Sequence, residues 1–255
     1  MNVSQTIEQE IAGIISGNKL YQTYRPQYQF LLNSYLGGSE YRDAGYLTRY
    51  LLETDAEYAA RLATTPLDNH CQSVVSVYNS FLFREQPERE FGILAENPDL
   101  KDFLKDSDFD GRSLDAFMKD ISTWSSIFGH CWAILAKPNV GAVTLADEQA
   151  QGVRPYLSLL TPMVVLDWTW NRSANGRYTL EYFKYLEDVN GDIQTVKEWT
   201  PEIIRTTIVD VQNKTIDSDI IEVNGLGKIP AIIAYNGRSM VRGIGVSDIS
   251  DIATA

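Results

Sequence analysis

Histidine stands directly before cysteine twice in this chain, at His70-Cys71 and at His130-Cys131. Four such side chains could in principle bind zinc, or a Cys-His pair could act as a nucleophile. The spacing argues against both. Adjacent residues on a helix point about 100° apart, zinc sites space their ligands by two to four residues, and no third residue to orient a Cys-His pair can be named. Cys71 also falls on an apolar stripe, so a buried cysteine beside a helix-flank histidine is the simpler reading. A second candidate is DSDFDGRSLDAF, in which Asp106, Asp108, Asp110 and Gly111 occupy positions 1, 3, 5 and 6 of a calcium loop. Position 12, which should be a bidentate Glu, is Phe117. Ser113 as the N-cap of a following helix then accounts for the polar cluster as a capped interhelical turn.

Weaker patterns fare similarly. DVNGD at residues 188–192 resembles part of a calcium loop, yet Ile193 follows where glycine would help, and Asn190-Gly191 is a strong hairpin signal. GLGK at Gly225 to Lys228 lacks the spacing and the hydroxyl residue of a phosphate-binding loop, and RGIGVSD has no dinucleotide-binding context. Trp168 and Trp170 share one side of an expected strand and could stack a base or sugar, although core or subunit packing is the commoner use. These readings leave no catalytic residue, metal ligand or cofactor site assigned.

The elements that position these residues divide into two kinds. Over residues 1–129 the apolar spacing is helical. Ile7, Ile11, Ile14 and Ile15 form one stripe that stops at Gly17. A second follows Pro26 through Tyr28, Leu31, Leu32 and Tyr35 to Gly37. Thr54 and Glu57 have capping-box spacing. Thr65 and Pro66 are expected to open the most regular helix, with Leu67, Cys71, Val74, Val75, Tyr78, Phe81 and Leu82 on one face and a stop by Pro87. Asn97-Pro98 and Ser113 should open two more helices, the last closed by Gly129. From His130 to Ala255 short β-rich runs take over, including HCWAILA, PYLSLL, MVVLDWTW, RYTLEYFKYLE, IQTVKEW, IIRTTIVDV, IIEVN and IPAIIAY. GAVTLADEQAQGVR reads as a mobile loop. GVSDISDIATA reads as the opening of a helix. The expected class is α+β, with N-terminal amphipathic helices packed on a C-terminal antiparallel sheet or meander, split at 129/130.

At 255 residues, 44% apolar and 11% aromatic, the chain can bury a substantial core. The start, MNVSQTIEQEIAGIISG, lacks a basic segment and does not read as a signal peptide. No apolar run approaches the ~18 residues of a membrane span. Two cysteines provide no disulfide framework, and a soluble protein made in a cytosol is expected. The net charge of −12 argues against tight binding to phosphates. Residues 85–120 hold eleven acidic and five basic side chains, half of that net charge, which reads as a solvated face.

The order of features carries a resemblance. NHCQSVVSVYNSFLFREQP, an acidic helical segment, WSSIFGHCWAILAKP, PYLSLLTPMVVLDW and then GKIPAIIAYNG leading to GIGVSDISDIATA resemble, in that order, the N-terminal, wing-region half of tailed-bacteriophage portal proteins. The likeness runs from about Tyr21 to the end, and its most specific pieces are the Phe83 to Pro87 break, the strand led by Pro155, and the close through Gly227, Ile229 and Pro230. Portal chains continue into stem, clip and crown regions that this sequence does not contain. The resemblance implies a non-enzymatic subunit of a homo-oligomeric ring, commonly of twelve copies, at one capsid vertex of the virion. Double-stranded DNA would pass through it without tight binding during packaging and ejection. Its implied partners are further copies of itself, the major capsid protein, the terminase motor and a head-tail adaptor, with no membrane and no cofactor. It also implies that 1–129 and 130–255 are the helical and β-rich parts of the wing, ending where a stem helix begins. The alternatives are a calcium-dependent binding or adhesion module built on Asp106, Asp108 and Asp110, a zinc enzyme or hydrolase using the His-Cys pairs, and another virion connector or tail protein.

Overall fold

A computed structural model describes residues 3–65, 68–138, 141 and 144–253. In chain order the elements are α1 (Val3–Ile15), α2 (Lys19–Leu36), α3 (Gly38–Asp43), α4 (Asp55–Thr64), α5 (His70–Leu82), a 3-10 turn (Gly92–Leu94), α6 (Pro98–Lys105) and α7 (Leu114–Phe128). There follow β1 (His130–Ala136), α8 (Leu145–Ala150), β2 (Tyr156–Leu160), β3 (Val165–Arg172), β4 (Tyr178–Asn190), β5 (Ile193–Trp199), β6 (Ile203–Asp210) and β7 (Thr215–Val223). Last come β8 (Ala231–Tyr235), β9 (Gly237–Arg238), β10 (Gly245–Val246) and α9 (Ser250–Ala253). The fold is mixed α and β, 38% helix and 28% strand, with antiparallel sheets, as an α+β class requires.

Local chemistry sets most boundaries. Thr54 and Glu57 form a reciprocal capping box at α4, Asn97 caps α6 with Pro98 in its first turn, and Ser113 caps α7. Gly129 ends α7 in the left-handed region at φ 84. The β4–β5 hairpin pairs Asn190 with Ile193, and Gly191 supplies the positive φ that opens its two-residue loop.

Four features depart from the sequence reading. Pro26 lies inside α2, which starts at Lys19 because the Asn18 side chain accepts the Leu20 N–H at 2.9 Å. Burial of Tyr21, Tyr28 and Leu31 offsets the hydrogen bond that the proline removes. Thr65 closes α4 instead of opening α5, whose N-cap is Asn69, while Pro66 and Leu67 lie outside the described residues. The segment read as a mobile loop contains α8, held by a capping box between Thr144 and Asp147. On α5 the buried line is Cys71, Val75 and Asn79, turned inward because Asn79 donates to Thr123 Oγ1 of α7 at 2.8 Å. Tyr78, Phe81 and Leu82 are left exposed.

The chain forms two compact units that do not divide at the change from helix to strand. One comprises residues 1–25 and 132–233, the other 26–131 and 234–255. The first contains the five-stranded meander β3-β4-β5-β6-β7. Helix α1 lies on it, so that Ile11 and Ile14 bury against Leu166, Val196 and Val209. Without α1 that apolar face would be bare, which is why the N-terminal helix belongs to this unit. Lys184 Nζ donates to the Gly13 carbonyl at 3.1 Å, and Asn18 bonds Asp167 at 2.9 Å and the Leu166 carbonyl at 2.7 Å, fixing the end of α1. Sheet β2-β1-β8 accompanies the meander. In the second unit α7 packs against α5, α6 and β10, burying Phe117, Ile121, Ile127 and Phe128.

Candidate functional site

The aspartates of the 106–112 loop do not converge. Asp106 Oδ1 accepts the Gly111 N–H at 3.0 Å, and Asp108 Oδ1 accepts the N–H groups of Asp110 at 3.0 Å and Arg112 at 3.2 Å. The Arg112 guanidinium pairs with Asp108 and, at 2.8 Å, with Asp120 of α7. A protein cation therefore stands where a calcium ion would need to be surrounded, and Phe117 is buried in the core. Partial burial acts to raise the Asp108 carboxyl, but the Asp110 and Arg112 hydrogen bonds outweigh it and hold it below its ordinary value. The loop is an interhelical turn closed by arginine. Among the described residues no group of three or more His, Cys, Asp or Glu side chains is arranged to hold a metal ion.

The His-Cys pairs separate as their spacing requires. His70 is exposed in the first turn of α5, while Cys71 is buried and burial raises its thiol. His130 and Cys131 are both buried at the start of β1. Burial pushes the Cys131 thiol up to about 12, and the thiol sits 3.5 Å from the Ile121 carbonyl. A thiol held so far from its thiolate is a poor nucleophile and metal ligand. Burial pulls His130 down to about 4 against a backbone hydrogen bond with Phe128, so the ring is neutral, and Nδ1 accepts the Gly245 N–H at 3.2 Å.

That contact belongs to a larger junction in the second unit. A helix end leaves carbonyls without partners, and here residues 236–248 supply them. Ser126 O accepts from the Asp248 N–H at 3.0 Å and Ser247 Oγ at 3.1 Å, and Gly129 O accepts from the Asn236 N–H at 3.0 Å. Asn236 Nδ2 in turn donates to Asp248 Oδ1 at 2.7 Å. The backbones of Gly129 and Gly245 touch so closely that a Cβ on Gly245 would lie 1.8 Å from the Gly129 oxygen.

Trp168 is core and Trp170 is half-buried beside it. Trp132 packs on Trp168, Trp170 and Phe183, with ring centroids 4.8 to 6.1 Å away, and donates its indole N–H to Tyr21 Oη at 2.9 Å. GLGK is a turn after β7, in which Asn224 Nδ2 donates to the Thr200 and Lys228 carbonyls.

Two features of shape were not visible as motifs. The first, in the second unit, is the turn at residues 47–54. Arg61 holds the Glu53 carboxylate with two bonds of 2.7 and 2.8 Å and donates to the Thr48 carbonyl at 2.8 Å. Arg49 donates to the Glu53 carbonyl at 2.7 Å, Glu53 accepts the Tyr50 N–H, and Tyr58 Oη donates to the Leu47 carbonyl. The Arg61 guanidinium lies 4.4 Å from the Tyr50 ring centroid. Its hydrogen bonds hold the Glu53 carboxyl down to about 2. This frame presents Leu51 and Leu52, 98% and 92% exposed. The capping-box spacing of Thr54 and Glu57 was the only sequence signal nearby. The second feature, in the first unit, is a cleft of about 360 Å³ lined by Leu135, Trp199, Ile204, Val223 and Leu226, with the Lys137–Glu148 ion pair at 2.7 Å and Glu222.

A comparison of the sequence with protein-family models gives no match, and a comparison with curated proteins gives none. No described helix is long and apolar enough to cross a membrane.

Proposed function

We infer that the chain is a structural subunit of a tailed-phage portal ring, contributing the wing-like region and acting by assembly, without covalent chemistry of its own. The observation that carries this reading is the order of elements around the motifs that resemble portals. Helix α5 stops just before the Phe83 to Pro87 break, and an acidic segment with short helices follows. Helix α7 passes through Gly129 straight into β1, Pro155 leads β2, and Pro230 precedes β8. The run Gly245 to Asp251 then enters α9.

Two physical features support it. Large apolar side chains stand exposed on α5, the 47–54 turn and β7, which suits a surface covered by neighbouring molecules. The charge of −12 suits a conduit, because each phosphate neutralised by Lys or Arg would add affinity and slow passing DNA. In this role the subunit meets further copies of itself, the capsid, the packaging motor and a head-tail adaptor at a capsid vertex.

Electron microscopy of the native assembly containing this chain tests the reading through symmetry alone. A closed ring of about twelve subunits with a channel wide enough for duplex DNA is expected. A monomer or two-fold dimer would overturn it.

A further inference from the structure

Residues 236–253 lie across the end of α7 as a strap with few apolar anchors. The strap pairs with itself only through the two-residue ladder of Gly237–Arg238 with Gly245–Val246, and Met240, Val241 and Val246 stand exposed. Among its described residues Ile244 and Ile249 are the buried apolar side chains. Its hold on the helix end is otherwise polar. Asp248 N–H and Ser247 Oγ donate to the Ser126 carbonyl, Asn236 N–H donates to the Gly129 carbonyl, and Gly245 N–H donates to His130 Nδ1. A segment with so little apolar burial opens more readily than the helices it rests on.

One of these bonds depends on charge. Nδ1 accepts the Gly245 N–H through a lone pair, whereas an imidazolium carries a proton on both nitrogens and would set donor against donor. The strap has no room to slide and relieve that clash, because the Gly129 and Gly245 backbones are already in contact. Around the ring stand Tyr28 of α2 at 6.0 Å, Tyr235 of β8 at 6.2 Å and the Phe128 backbone of α7. Cys131, next on β1, turns its thiol to the Ile121 carbonyl. The charged groups of the strap are Arg238, 5.5 Å over the Tyr235 ring, Arg242, Asp248, bonded by Asn236 Nδ2, and Asp251. Tyr235 and Gly245 both move with the strap or its root, so opening it brings water to the imidazole. A closed strap and a protonated His130 therefore exclude each other.

We propose that residues 236–253 form an acid-released strap, in which uptake of a solvent proton at His130 Nδ1 is coupled to detachment of this segment from the end of α7. Release gives the Ser126 and Gly129 carbonyls to water and frees β9, β10 and α9 while α5 and α7 stay folded. The inference stands apart from the ring reading and needs no second copy. Its size follows from linkage. With the ring at its ordinary 6.5 in the open form and pulled by burial to about 4 in the closed form, the opening equilibrium rises about twentyfold between pH 7 and pH 5.

Amide hydrogen exchange of the full chain at pH 7 and pH 5, corrected for the intrinsic rates and read by mass spectrometry of peptides, tests this. Peptides covering 236–248 should show the twentyfold rise in opening, and peptides of α5 and of residues 114–125 of α7 should not. His130→Asn keeps an acceptor for Gly245 and should abolish the rise. Ser247→Ala, which loses the bond to Ser126 but not the titrating ring, should raise opening by the same factor at both pH values and keep the rise between them. No rise in 236–248 would overturn the proposal, as would an equal rise in α5 and α7, since the whole unit would then be opening. A rise that survives His130→Asn would overturn it too, by assigning the response to another group.

Discussion

Replacing His130 by Asn tests the neutral, buried imidazole at the α7 junction. The ring is fully buried, accepts the Gly245 N–H, and lies about 6 Å from the Tyr28 and Tyr235 rings, centroid to centroid. Burial lowers it from 6.5 to about 4. Above pH 6.5 the histidine is neutral in both the folded and unfolded chain and has no linkage to pH. Between about pH 6.5 and 4 the unfolded chain binds a proton that the folded chain refuses, so stability falls as pH falls. Over that window the loss amounts to about 3 kcal/mol, at ~1.4 kcal/mol per pH unit. His130→Asn keeps an acceptor for Gly245 and removes the titration. Its absolute stability will be lower, because it gives up ring packing, but the slope is the readout. Urea unfolding at pH 7, 6, 5 and 4.5 should show the unsubstituted protein losing stability faster than the variant, most of the ~3 kcal/mol appearing by the lowest pH. Parallel profiles for the two proteins would refute the reasoning, since every other titrating group is common to both.

Gly245→Ala should destabilise by about 3 kcal/mol or more, because its Cβ would collide with backbone that cannot rotate away; chemical denaturation measures this directly. Calcium at millimolar concentration should leave the melting temperature unchanged, and Arg112→Met should lower it by leaving Asp108 and Asp120 without their shared cation; a calcium-dependent rise in the unsubstituted chain would contradict the arginine-closed turn. Thr54→Ala should cost about 1 kcal/mol, read by thermal unfolding, through loss of the capping box at α4.

Legibility followed the range of the interactions. Asn97, Pro98, Ser113 and Gly129 act on neighbouring backbone, so the limits of α6 and α7 were readable from those residues alone. The strand runs and the Asn190 hairpin were readable for the same reason. Pro26 misled because tertiary burial of Tyr21 and Tyr28 outweighed a local rule. On α5 the apolar pattern suggested a longer buried face, but the hydrogen bond from Asn79 to Thr123, 44 residues away, sets which side turns inward. The calcium-like loop shows the same limit. Its missing twelfth ligand was visible as Phe117, whereas the occupation of its centre by Arg112 depends on Asp120 across the turn. No sequence pattern set a direction for Leu51 and Leu52, and only the frame around Arg61 shows that they point outward. The interleaving of the two units left no local trace.

That interleaving also sets a schedule for synthesis. The end of α7 is made early, yet Ser247, which donates to its Ser126 carbonyl, lies 121 residues further along. At about 5 to 20 residues per second the helix end waits on the order of ten seconds for its partners. Meanwhile the intervening residues 132–233 supply the meander strands of the other unit, whose helix α1 precedes them in the chain. The meander can therefore close while the helical unit still lacks residues 234–255, and the part of α7 that β10 covers stays open until those residues are made. An encounter with a chaperone or a premature neighbour falls in that interval.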